Sequence, residues 1–140
     1  VSLVFGRDEE VARWAANKLR IRKLGELTTG FVRPFTTIGV RDRSGQYSGA
    51  FIFSRFTGPD VELTVVGAGA ITRSAFQAAA RYVFDDLGCV RVSATIRADN
   101  DRALAVARKF GFKQEGIRRK GFKDHDAVLL GLLREDYRYG

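Results

Sequence analysis

The stretch Val61-Glu62-Leu63-Thr64-Val65-Val66, running into Gly67-Ala68-Gly69-Ala70-Ile71 and then Thr72-Arg73-Ser74, decides how the rest of the chain reads. Its first six residues are rich in β-branched side chains and predict a strand. From Ala75 the apolar period lengthens from two to about 3.6 residues. Ala75, Phe76, Ala79, Ala80, Val83, Phe84 and Leu87 fall on one stripe, and Gly88 ends the run. A strand passing through small residues into a helix has the makings of an anion site. Small residues let a ligand approach the backbone, and the first N–H groups of a helix have no partner within it. The helix dipole adds to this and suits a pyrophosphate. Thr72 and Ser74 contribute hydroxyl donors, and Arg73 a positive charge. The same small residues also serve plain tight packing, so the turn alone leaves both uses open.

Upstream of this unit the pattern is a β-meander. Phe35–Val40 and Gln46–Phe56 are strands, the second irregular at Gly49. The turns are Arg41-Asp42-Arg43-Ser44-Gly45 and Thr57-Gly58-Pro59-Asp60, short enough to make Phe35–Val66 three antiparallel neighbours. Val1–Phe5 reads as a short edge strand. Arg7–Leu19 reads as a helix, capped by Asp8, with Val11, Trp14, Ala15 and Lys18 on one face and Trp14 as its anchor. Arg20–Pro34 has no clear period, and Gly25 and Gly30 argue for a loop. Downstream, Val90–Ile96 is a strand. Asp99 and Asn100 can cap a helix over Asp101–Phe110, whose inner face carries Ala103, Leu104, Ala107 and Phe110 before Gly111 stops it. Strands Phe112–Ile117 and Ala127–Leu133 follow, joined by a basic loop. The expectation is one α/β domain over residues 1–140, a mixed sheet of about six to seven strands with helices on both faces.

Bulk properties narrow the function. A chain of 140 residues can bury roughly 68–70% of its unfolded surface without a disulfide or metal. No apolar run approaches the ~20 residues needed to span a bilayer, and the N-terminal stretch lacks a signal-peptide pattern. The one cysteine, Cys89, cannot form an internal disulfide, which fits a cytoplasmic setting. Lying between a helix and a strand, it reads as a buried structural thiol. The net charge of +8 favours anionic partners: a phosphate-bearing cofactor, an acidic protein or nucleic acid. No helix-turn-helix or stacking-aromatic pattern supports nucleic acid. His125 has no second histidine or cysteine nearby, so no metal site is expected.

Three further stretches stand in a telling order: Leu87-Gly88-Cys89-Val90-Arg91-Val92, then Arg97-Ala98-Asp99-Asn100-Asp101-Arg102-Ala103, then Lys109-Phe110-Gly111-Phe112-Lys113-Gln114-Glu115-Gly116. Over Phe35–Leu133 this order resembles the GNAT superfamily of N-acetyltransferases, nearest the branch that includes the ribosomal-protein alanine acetyltransferases. The resemblance implies a V-shaped splay between the central parallel strands Val61–Val66 and Val90–Ile96, with acetyl-coenzyme A in the opening. Its pantetheine would pair with Val65 and Val66, and its pyrophosphate would lie on the turn from Gly67 through Ala68, Gly69, Ala70, Ile71 and Thr72 to Arg73 and Ser74. Asn100 matches the family asparagine that contacts the cofactor, with Arg102 and Ala103 close to the same arm. Asn100 also reads as a helix cap, and the two roles are compatible. Two departures stand out. The fixed positions of the family turn fall on Gly67, Ala70 and Thr72, so neither usual glycine is present. The family's acid tyrosine falls on Ala107, and the serine of some relatives on Ala103.

The activity implied is direct attack of a primary amine, on a protein, peptide or small molecule, upon the thioester. Val66 is the candidate backbone donor to the developing oxyanion. Glu62 is the candidate base, against the plainer reading of a solvent-facing strand carboxylate. Asp124, His125 and Asp126 lie in the loop that would border the acceptor channel, where they meet a cationic amine or simply form a solvated hairpin tip. Arg118-Arg119-Lys120 is a solvated basic loop or a grip for an acidic partner. Arg20–Pro34 occupies the region that often shapes acceptor specificity in the family, and a symmetric dimer is a further family expectation. The missing tyrosine, serine and glycines also suit a catalytically silent relative that keeps coenzyme A binding as an interaction module.

Overall fold

Alternation along the strands sorts the apolar side chains onto the two faces of one sheet. The computed structural model describes residues 1–19, 31 and 33–137. Its strands are β1 (Ser2–Val4), β2 (Phe35–Arg41), β3 (Tyr47–Ser54), β4 (Glu62–Val66), β5 (Arg91–Arg97), β6 (Lys113–Arg118) and β7 (Ala127–Leu133). Its α-helices are α1 (Asp8–Leu19), α2 (Arg73–Arg81) and α3 (Asp101–Phe110). The sheet has seven strands in the order β1-β2-β3-β4-β5-β7-β6. Every neighbouring pair is antiparallel except β4 and β5. The mixed sheet expected from the sequence is therefore present, with helices on both faces.

On one face Ile38, Phe51, Phe53, Leu63, Val92, Leu130 and Leu132 pack under α2 and α3. Phe76 of α2 stacks on Phe110 of α3 with ring centroids 4.0 Å apart, which locks the two helices together. On the other face Val11 and Ala15 of α1 cover Ala50, Ile52 and Val66. Trp14 joins this smaller cluster, packing against the Tyr47 ring at 5.9 Å, as an anchor should. Each fully buried large apolar side chain contributes about 1.5–3 kcal/mol. These contacts, rather than helix propensity, hold short helices such as α2 in place.

Local details depart from the sequence reading. Asp8 is the first residue of α1, not its cap. Its carboxylate accepts from the Thr37 amide at 2.9 Å and the Thr37 hydroxyl at 3.0 Å, tying the helix to β2. The stripe ending at Leu87 is not one regular helix: it widens at Tyr82–Asp86 into a π-turn, where the Leu87 amide donates to the Tyr82 carbonyl. The β3 irregularity is a bulge in which Ser48 is the extra residue, because Val40 pairs with Gly49 and Arg41 with Tyr47. Most of the Arg20–Pro34 region, residues 20–30 and 32, lies outside the described residues. Among the described residues no helix is long and apolar enough to cross a membrane.

Candidate active site

The two central parallel strands touch only briefly. Glu62 pairs with Ser93 and Leu63 with Ala94, and there the β4–β5 ladder stops. Beyond it Thr64, Val65 and Val66 stay with β3, while Thr95, Ile96 and Arg97 stay with β7. The result is a notch between strands that point the same way, opening toward the start of α2.

The parity of the ladder decides which peptide groups face that notch. Peptide groups of successive strand residues point alternately to the two neighbours. The Ser93 amide donates to the Val61 carbonyl at 2.9 Å, so Val61, Leu63 and Val65 present their peptide groups to β5. Thr64 and Val66 present theirs to β3. Past Leu63 there is no β5 partner, which leaves the Val65 N–H and C=O open to the notch. Val66, the expected oxyanion donor, gives its amide to the β3 ladder, and the peptide group facing the notch is that of Val65.

The turn at the notch's mouth is built differently from its sequence reading. A Cβ on Gly69 would lie 2.1 Å from Ser48 Oγ, and one on Gly67 would lie 2.4 Å from the Ser48 carbonyl. A Cβ on Gly49 would lie 2.3 Å from the Ala70 amide nitrogen. The glycines are thus required where the turn seats itself on the β3 bulge, and their bare faces look inward. Ala70 is fully buried. The Ala70 and Ile71 amides are spent inside the turn, on the Gly67 and Ala68 carbonyls at 3.3 and 3.1 Å. Ala70 therefore belongs to the packing, a correction to its expected place on the cofactor side. Thr72 caps α2, its hydroxyl accepting from the Ala75 amide at 3.2 Å. The Ser74 amide lies in the first turn of α2, whose N–H groups have no acceptor within the helix.

Across the mouth, Asn100 caps α3 by accepting from the Ala103 amide at 3.1 Å. The cap engages only Oδ1, so the Nδ2 donors can serve a second partner. Arg102 is exposed beside it. Ala107, where the family tyrosine falls, packs in the main core, and the Tyr47 and Tyr82 hydroxyls are engaged by Glu10 and Thr36.

At the closed end of the notch, register lines up one row across six strands: Phe35, Ser54, Glu62, Ser93, Gly131 and Lys113. Alternation sets Glu62 on the α1 face with Thr64 and Val66. Glu62 Oε2 lies 3.1 Å from Arg55 Nε. Beside it Ser93 donates to Asp60 at 2.8–2.9 Å. Arg91 reaches Asp60 at 3.5 Å and forks onto Glu115 at 2.5 and 3.2 Å. The Glu115 carboxylate lies across Gly131, where any Cβ would come within 2.4 Å of it. Arg55, Asp60, Arg91, Ser93 and Glu115 were not singled out from the sequence. The alternation of Arg91, Ser93, Thr95 and Arg97 along β5 was the available signal.

The β6–β7 loop meets the other end of β5. His125 Nε2 is 3.7 Å from Asp99 Oδ2, and the Arg97 guanidinium holds the Asp99 carboxyl below the ordinary carboxylate range, with a smaller contribution from His125. Asp126 accepts from the Lys120 amide at 2.9 Å and shapes the loop. Glu62 is not brought to this loop: Ser93 and Arg97 are four residues apart on β5, about 13 Å. Asp124, His125 and Asp126 thus stand at the mouth and Glu62 at the apex. A separate cavity of about 250 Å³, lined by Gln77, Phe84, Arg134 and Tyr137 among others, lies away from the notch.

The acetyltransferase (GNAT) domain profile matches residues 3–113. The chain belongs to the GNAT acetyltransferase family. Solved structures similar to this GNAT domain include mutant forms of the spermidine/spermine N-acetyltransferase SpeG from Vibrio cholerae, with a TM-score of 0.77, 14% identity and 97% of each chain covered. A dodecameric structure of the Vibrio cholerae spermidine N-acetyltransferase aligns with a TM-score of 0.76 and 14% identity over 96% of this chain and 94% of that one. Identities so low speak for the fold alone. No curated protein sequence matches the chain.

GNAT acetyltransferases use acetyl-coenzyme A as co-substrate, and the residues of this GNAT domain fit it. The open Val65 peptide group suits a pantetheine amide. The Ser74 amide at the start of α2, with the basic residues Arg73 and Arg102 nearby, suits a diphosphate. Cys89 is no competing nucleophile, being 1% exposed with its thiol pushed up by burial first and by the Asp60 charge second.

Proposed function

We propose that the chain moves the acetyl group of acetyl-coenzyme A onto a primary amine at the fork where β4 and β5 part. The observation that supports this most is the Val65 peptide group, which faces the notch past the end of the β4–β5 ladder, three residues along β4 from Glu62. Acetyl-coenzyme A supplies the acyl group in activated thioester form. The Val65 C=O and N–H align its arm and offer a fixed donor to the oxygen that gains charge. Arg73, Ser74 and Thr72 at the head of α2, with the turn of Gly67, Ala68, Gly69 and Ile71, hold the diphosphate. Asn100 Nδ2, Arg102 and Ala103 flank the same arm from α3.

Glu62 takes the proton that the amine loses as its nitrogen bonds to the acetyl carbon and the C–S bond breaks, the electron pair leaving on sulfur. Glu62 and Val65 are three residues apart, about 10 Å along the strand, so the reach of the Glu62 side chain and ordered water together complete the proton path. No tyrosine is needed at Ala107, because a thiol with pKa near ~8.5 departs readily as thiolate. The acceptor best matched to a single half-buried carboxylate is an α-amine, with pKa about 7.7–8.0 against about 10.4 for lysine. Asp124 and His125 at the mouth guide such a cation inward. The chain's solved neighbours are named for spermidine, which makes that polyamine the comparison acceptor.

Thiol release measured over an amine panel tests this, with Glu62→Gln beside the wild type. Loss of the base lowers kcat by about 100-fold while the Kd for acetyl-coenzyme A holds. An unchanged kcat moves the base elsewhere. Tight cofactor binding with no thiol released by any amine ends the acetyl-transfer reading.

A further inference from the structure

Arg55 stands out at the apex of the notch. It follows Ser54, the register partner of Glu62, and holds φ at 51°, a left-handed conformation rare for a residue with a side chain. That conformation strains a residue that carries a Cβ. It brings Nε to 3.1 Å from Glu62 Oε2, yet the Arg55 side chain is 63% exposed and that of Glu62 34%. An ion pair so open to water contributes little to stability and is weak recompense for the strained backbone. The pair therefore does not account for the strain, and strain unexplained by stability points to function. Arg91, on the same face, shows the contrast. Its guanidinium is committed to Glu115 and Asp60, with 28% of its side chain exposed.

We infer that Arg55 is a specificity residue: it selects acceptors that carry a carboxylate next to the reacting amine, exchanging Glu62 for that carboxylate as the acceptor binds. This rests on the reading of Glu62 as base. The exchange swaps one ion pair for another of the same kind and costs little. It leaves the Glu62 carboxylate free beside the amine at the moment a proton must be taken. A guanidinium offers five N–H donors in a planar fork, enough to hold a carboxylate by two of them. The substrate class is a peptide α-amine followed by an acidic residue. Polyamines fit poorly, because Arg55 and a net charge of +8 repel them.

The test compares kcat/KM for three acceptors: a peptide with aspartate at its second position, the same peptide with asparagine there, and spermidine. The wild type favours the aspartate peptide over the asparagine peptide by about tenfold, the worth of one charge-assisted contact. The preference lies in KM and shrinks with added salt. Arg55→Ala brings the ratio near one, and Arg55→Lys keeps part of it; acetyl-coenzyme A titration of both variants confirms that they are folded. A ratio unchanged in Arg55→Ala, or a wild type that prefers spermidine, overturns the inference and leaves acetyl transfer standing. A chain that binds acetyl-coenzyme A and acetylates none of the three overturns both.

Discussion

Replacing Gly49 with alanine probes the seat on which the mouth of the notch rests. The new methyl carbon would lie 2.3 Å from the Ala70 amide nitrogen, 2.8 Å from the Gly69 carbonyl carbon and 3.0 Å from Ala70 Cα. Favourable contact between such atoms begins near ~3.5 Å, so the turn must retreat by more than an ångström. All three obstacles are backbone, and none can rotate out of the way as a side chain tip would. Overpacking of this kind costs roughly 1–3 kcal/mol, which for a chain of this size lowers Tm by roughly 3–10 °C. The turn leads directly into Thr72 and α2, so the Arg73 and Ser74 amides move with it. A displacement of about 1 Å in a positioning element can lower turnover by about 100-fold. Thermal melts and calorimetry with acetyl-coenzyme A read the two effects side by side. A Gly49→Ala protein with wild-type Tm and wild-type Kd would refute the claim that the β3 bulge sets the turn.

Two further outcomes are expected. Asn100→Ala removes the cap on the Ala103 amide and destabilises the protein by about 1 kcal/mol, whereas Asn100→Asp keeps the cap oxygen but loses the Nδ2 donors. If Asn100 also holds the cofactor arm, the aspartate variant keeps its Tm and weakens acetyl-coenzyme A binding; an unaltered Kd would leave Asn100 a cap alone. Burial raises the Cys89 thiol, so the folded state keeps this proton where the unfolded chain gives it up. Stability is unaffected below the unfolded thiol's pKa of about 8.5 and declines as pH rises beyond it. Melts between neutral and alkaline pH should show a decline that is shallower in Cys89→Ala, and equal slopes would argue against the burial account.

The fold was legible where a single element carries its own period. The run Val61–Val66, the turn and the α2 stripe announce a strand and a helix from side-chain order alone, and the hairpin turns fix the meander. The cap at Asn100 was equally local. What escaped was anything that depends on pairing between distant strands. The row from Phe35 through Glu62 and Ser93 to Gly131 exists only once four registers are known. Whether Val65 or Val66 faces the notch depends on the parity of one backbone bond, from Ser93 to Val61, which no side chain reports. Asp8 has the right type and place for a cap, but the nearness of β2 gave its carboxylate a different partner. The small residues of the turn left ligand approach and tight packing both open, and only the seating on Ser48 and Gly49 shows that Gly67 and Gly69 serve the packing.

The offset between Gln114 and Gly116 that throws Glu115 inward also disfigures the sheet's outer border at β6. A straight border would invite strands of other chains to dock and grow into fibres. Here one surplus residue breaks the repeat, and Lys113 and Arg118 add charge along the rim. The same insertion that ties Arg91 in place thus helps keep a crowded solution of this protein from gelling.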